Sequence, residues 1–89
     1  MAKIKVKQQD TETFEVTVRE TTTTIHTVTL DHDYYQKLTE GKVSPEMLIE
    51  KSFEFLLERE SNTMILARFD LPIIGDYFPE YEKNIGKKF

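Results

Sequence analysis

Residues 1–30 contain neither glycine nor proline, although the chain has three of each; all six fall in residues 31–89. A stretch rich in Thr, Val and Ile with no backbone breaker favours extended strands, because β-branched side chains suit a pleated surface. Ile4 and Val6 are flanked by Lys3, Lys5 and Lys7, a period-2 pattern with one basic face. Gln8 to Thr11 is polar enough to turn. Phe14, Val16 and Val18 then alternate with Glu15, Thr17 and Arg19, the clearest strand signal in the chain. Thr21 to Thr24 have β-propensity but no facing preference, so a turn is placed near Glu20–Thr22 without fixing the register. From Ile25 to Leu30 the pattern resumes, with His26, Val28 and Leu30 on one side and Ile25, Thr27 and Thr29 on the other. Two or three antiparallel strands account for this half.

The remainder switches to helical spacing. Asp31 is placed to cap a short helix to Glu40, in which Tyr34 and Tyr35 meet Leu38, and Gly41 supplies a left-handed stop. Ser44 followed by Pro45 opens the principal helix, read as far as Glu60. Its apolar face is Leu48, Ile49, Ser52, Phe53, Phe55 and Leu56, opposite Glu50, Lys51, Glu54 and Glu58. Beyond it we expect short helices: Met64–Phe69 capped by Thr63, a turn capped by Asp70 with Pro72 in it, and a last segment opened by Pro79. In these, Ile73 with Tyr77 and Ile74 with Phe78 are inward-facing i,i+4 pairs, and in the last segment Tyr81 pairs with Ile85. The expected fold is a single α+β domain over residues 1–89: an N-terminal antiparallel hairpin or three-stranded meander, followed by one long and several short helices packed on one face.

Composition narrows the function. Twelve Lys and Arg against sixteen Asp and Glu leave a charge of −4, which disfavours general binding to nucleic acid or anionic membranes. The absence of cysteine removes disulfides, thiolate zinc and thiol chemistry. No apolar run approaches a membrane span, and Met-Ala-Lys-Ile-Lys lacks a signal-peptide apolar region, so a cytoplasmic location is expected. A chain of 89 residues buries only about 60–65% of its unfolded surface, so a partner subunit is an expected source of added stability.

Catalytic, cofactor and metal constellations are not legible. His32 lies between Asp31 and Asp33, but adjacent residues at a helix start point about 100° apart and do not share a ligand. Capping by Asp31, a dipole-compatible Asp33 and a solvated His32 account for the triplet. His26 reads as a half-buried polar strand residue. No Gly-x-Ser-x-Gly elbow surrounds Ser44, Ser52 or Ser61, and three isolated glycines cannot cradle a phosphate. Neither enzyme activity nor a cofactor is expected.

Two resemblances remain. The order strand (His26–Leu30), short helix (Asp31–Glu40), Gly-containing turn and Ser-Pro-capped helix is similar to the ribbon-helix-helix family of bacterial repressors and antitoxins. That likeness implies a dimeric strand ribbon in the DNA major groove, with Thr27 and Thr29 (or His26 and Val28) facing the groove. Gly41 to Ser44 would then lie at a phosphate. The strand lacks the Arg, Lys, Asn or Gln that best read base edges, and the following helix carries Glu46, Glu50, Glu54, Glu58 and Glu60. Separately, Ser52–Glu60 (Ser-Phe-Glu-Phe-Leu-Leu-Glu-Arg-Glu) and Tyr77–Glu82 (Tyr-Phe-Pro-Glu-Tyr-Glu) resemble a family of small uncharacterised prokaryotic proteins. With His26–Leu30 and Tyr34–Leu38 that similarity spans most of the chain and implies one intact protein, but it carries over no site residue.

The C-terminal aromatics Tyr77, Phe78, Tyr81 and Phe89 form a candidate protein-interaction patch, with closure of the small core as the alternative use of the same rings. The expected function is a non-catalytic interaction or accessory protein that self-associates or takes a protein partner. A ribbon-helix-helix-like DNA-binding regulator or antitoxin is the second expectation, with Thr27, Thr29, Gly41 and Ser44 as its contacts.

Overall fold

The computed structural model describes residues 2–89 and is an α+β fold. Strands β1 (Lys3–Gln8), β2 (Thr13–Arg19) and β3 (Thr23–Thr29) form the expected antiparallel meander, with Val16 opposite both Val6 and His26. Asp10 sets the first turn: its carboxylate accepts from the Glu12 and Thr13 amides at 3.0 and 2.9 Å. Those bonds, to Glu12 and to Thr13, hold the Asp10 carboxyl below its ordinary value. The second turn occupies residues 20–22, as expected. Alternation holds throughout: Phe14, Val16, Val18, His26 and Val28 are buried, whereas Ile25 is 58% exposed on the outer face.

Helix α1 (His32–Thr39) begins at Asp31, whose carboxylate accepts from the Tyr34 amide at 2.8 Å. Its end differs from expectation by one residue. Glu40 (φ 53°) already turns left-handed, and Gly41 (φ 75°) follows in the same region. Helix α2 (Pro45–Leu57) starts where Ser44 accepts from the Met47 amide at 3.1 Å, and it stops three residues before Glu60. Leu48, Ile49, Ser52, Phe53, Phe55 and Leu56 are its buried residues, the face read from the wheel. Fully burying such side chains contributes about 1.5–3 kcal/mol each. The Phe53 ring lies 5.4 Å from that of His26 and 6.0 Å from that of Phe69, so α2 reaches across to β3 and its neighbour.

The segment after α2 departs from the helix expected over Met64–Phe69. Only Asn62–Met64 makes a helical turn, of 3₁₀ type, and Arg68–Asp70 is a fourth strand, β4. It pairs parallel to β3, with Thr27, Val28 and Thr29 beside Arg68, Phe69 and Asp70, giving the sheet order β1-β2-β3-β4. Pairing rather than local pattern makes this strand: the Thr27 amide donates to Ala67, the Leu71 amide donates to Thr29, and the Thr29 hydroxyl donates to Asp70. Asp70, occupied there, does not cap the next helix.

Helix α3 (Ile73–Tyr77) is preceded by Pro72 and α4 (Tyr81–Gly86) by Pro79 and Glu80. The expected pairs divide. Tyr81 and Ile85 are both fully buried, and Ile74 is buried beside a half-buried Phe78, but Tyr77 points outward and is 64% exposed. A five-residue helix makes too few turns to bury both of its faces. Helix α4 is clasped to α1 through Glu82, which accepts from the Tyr34 hydroxyl at 2.9 Å and pairs with Lys37 at 3.3 Å. Burial first, and then the bond to Glu82, push the Tyr34 phenol well above its ordinary value.

Candidate functional site

The segment from Ser61 to Ala67 has little helix or sheet of its own, so side chains fix its course. Asn62 is buried, and its amide nitrogen donates to the Thr22 carbonyl and the Thr24 hydroxyl, both at 3.0 Å. The Asn62 backbone amide donates to Glu20 at 3.2 Å. Four residues on, the Leu66 carbonyl lies 2.8 Å from His26 Nδ1. A carbonyl only accepts, so Nδ1 donates to Leu66, and Nε2 shares a hydrogen bond with the Thr24 hydroxyl at 2.8 Å. The chain Asn62–Thr24–His26–Leu66 therefore sews this segment to β3. Both ring nitrogens of His26 are committed, and the imidazole serves as a structural strut.

A cavity of about 380 Å³ lies between this segment and α3. Leu56 at the end of α2, Ile65, Phe69 of β4 and Ile74 of α3 are its buried walls. Ile73 and Phe78 are half-buried against it. Met64, Leu66 and Tyr77 rim the mouth with 69%, 47% and 64% of their surfaces exposed. Glu60, one residue short of the tethered segment, is the only titratable carboxylate in the lining. Burial raises its carboxyl above the ordinary value. The site is thus an apolar groove with one acceptor at its edge, a shape suited to gripping an apolar side chain and without a nucleophile–base pair.

The aromatic residues expected to form one patch separate. Tyr77 and Phe78 belong to the groove. Tyr81 does not reach a surface: it is fully buried, edge-on to Phe55 at 5.2 Å, with its hydroxyl 2.6 Å from that of Ser52. Phe89 packs half-buried against the core. Sequence reading missed Glu60, Met64, Leu66 and Ile73. The signal was the apolar triplet Met64-Ile65-Leu66, taken as the face of a helix that does not form.

The residues of the DNA-reading expectation are also dispersed. Thr27 and Thr29 lie on the outer face of β3, whose two edges are occupied by β2 and β4. Along Thr27–Thr29 a ribbon made by pairing β3 with a second copy has no free edge to use. Ser44 already caps α2, and Gly41 lies in the α1–α2 turn, where the Gly41 amide donates to the Thr39 hydroxyl. At the other expected feature, Asp31 is engaged by the Tyr34 amide, and His32 is exposed beside Tyr35. Among the described residues no helix is long and apolar enough to cross a membrane. No family model, curated protein or solved structure matches the chain.

Proposed function

We propose that the protein is a non-catalytic interaction domain that self-associates through the Leu66–Tyr77 groove. One observation carries the reading. Five large apolar side chains are exposed among the described residues, and three of them (Met64, Leu66 and Tyr77) ring this single cavity. Apolar side chains scattered singly are ordinary, but a cluster around a concave apolar site is the usual anatomy of an interaction surface. A second copy is the occupant that the site's chemistry favours. In a twofold arrangement the same patch meets itself, so the rim residue of each copy enters the other's cavity. The modest core of a chain this size gives that association something to stabilise.

Sedimentation velocity over a concentration series tests this. Wild type is expected to shift from monomer towards dimer, while Leu66→Lys and Tyr77→Ser remain monomeric with unchanged circular dichroism. Ile25→Lys, on the outer sheet face, is expected to behave as wild type. Each apolar rim residue contributes about 1.5–3 kcal/mol if fully buried, so either groove variant should weaken association by roughly tenfold or more. A wild type that stays monomeric at the highest concentration overturns self-association. An association that both groove variants leave unaltered removes the groove from it.

A further inference from the structure

We propose a second docking surface on the opposite side of the sheet, where β1 accepts an extended acidic segment of a partner protein as a fifth strand. β1 pairs with β2 alone, so its other edge is unpaired along Lys3–Gln8. In an antiparallel edge strand, alternate residues direct their N–H and C=O groups outward, which is a template for one more strand.

The side chains state what that strand must carry. Lys3, Lys5 and Lys7 stand exposed on the outer face, while Ile4 and Val6 lie half-buried against the core on the inner face. None of the three lysines forms an ion pair among the described residues. Across the ladder, Lys3 faces Arg19 and Lys5 faces Thr17, and only Lys7 faces a carboxylate, Glu15. This corner of the outer face therefore holds four cations against one anion, in a chain whose net charge is −4.

A second copy is a poor occupant of this edge. Antiparallel pairing of β1 with itself sets lysine against lysine along the outer face, and like charges directly opposite are destabilising. Slipping by one residue turns the lysines onto the apolar side. A strand with Glu or Asp at every second position reverses the sign of each cross-strand pair. Its alternate Val, Ile or Leu residues extend the cover over Ile4 and Val6. The lysine row that blocks self-addition is thus the element that selects an acidic strand, with backbone hydrogen bonds supplying affinity and charge supplying specificity.

The test uses the full chain and two capped, fluorescent hexapeptides of equal composition. One alternates glutamate with valine; the other groups its three glutamates together. By anisotropy the alternating peptide is expected to bind roughly fivefold or more tightly than the grouped one. Lys5→Glu, at an exposed position, is expected to weaken binding roughly fivefold or more, and Lys5→Gln by less. Amide exchange read by NMR should gain protection in residues 3–8 of the bound protein. Equal binding of both peptides, indifference to Lys5→Glu and Lys5→Gln, or protection confined to the Leu66–Tyr77 groove would each overturn the proposal. Dimerisation is read separately by sedimentation, so failure here leaves the groove reading standing.

Discussion

The Ser52 hydroxyl and the Tyr81 phenol lie 2.6 Å apart with both residues fully buried, joining the middle of α2 to the start of α4. Ser52 already donates to the Leu48 carbonyl at 2.7 Å, so the phenol is the donor of the pair. That direction makes the two deletions unequal. Ser52→Ala strands a buried phenol without an acceptor and is expected to cost about 1–3 kcal/mol. Tyr81→Phe leaves Ser52 bonded to Leu48 and is expected to cost about 1 kcal/mol or less. Urea denaturation of both variants and the double variant measures the coupling; a larger loss for Tyr81→Phe would reverse the donor assignment.

Asn62 is the first stitch holding the groove's outer wall. Asn62→Ala removes one of two donors from the Thr22 carbonyl, which keeps the Glu20 amide, and one partner from the Thr24 hydroxyl. We expect a loss of about 1–3 kcal/mol in global stability. Amide exchange should accelerate most in residues 62–67, ahead of β1 and β2. Uniform acceleration across the chain would show that the segment is held by its apolar side chains instead.

The α1–α2 turn contains two successive left-handed residues, Glu40 and Gly41. A Cβ on Gly41 would meet no atom closer than 3.8 Å, so its requirement is conformational rather than steric crowding. Gly41→Ala is therefore expected to destabilise by about 1–2 kcal/mol. At Glu40 the strain is present in the wild type. Glu40→Gly relieves it but loosens the unfolded chain by about 0.4–1 kcal/mol, leaving a net gain of about 1 kcal/mol or less. Thermal melts of the two variants separate these outcomes.

Glu60 gives the groove a pH signature. Burial disfavours its charged form, so the folded carboxyl lies above the ordinary value of 4.5. The native state holds that proton more tightly than the unfolded chain does. Its stabilising contribution is complete below pH 4.5 and is lost as pH rises through the folded value. Glu60→Gln, which keeps a neutral hydrogen-bonding group there, should raise the urea midpoint at neutral pH and leave it unchanged in acid. An equal gain at both pH values would show that the packing or hydrogen bonding of the amide, and not the loss of a charge, is its cause.

Where one element's own periodicity decided the outcome, the sequence was readable. The alternation Phe14–Val18 and the stripe Leu48–Leu56 each exceed one full repeat, and both buried the faces they announced. Arg68-Phe69-Asp70 is too short to display a period. Its strand character depends on β3, some forty residues earlier, through bonds such as Thr27 to Ala67. Thr63 was read as a cap, but the 3₁₀ turn begins one residue earlier, at Asn62, which is tied to Thr22 and Thr24, and it ends at Met64. The groove was invisible because its walls come from four segments that no local pattern connects. Tyr77 and Phe78 were found, but Tyr81 was grouped with them although the hydroxyl of Ser52 draws it inside.

The parallel pairing of β4 has a temporal consequence. Parallel neighbours cannot be joined by a tight turn, so the chain passes through α1 and α2 before β4 can dock beside β3. The meander closes through short turns, whereas this contact must bring together residues 27–29 and 68–70, and such distant closures form late. Phe69, Ile73, Ile74, Tyr77 and Phe78 of the groove lie in or beyond β4, and its other lining residues lie in the crossover that leads there. A molecule whose last strand has come away keeps its meander yet has no groove at all. Occupancy of the groove therefore reports completed folding, and whatever binds there acts as a latch on the contact the chain makes last.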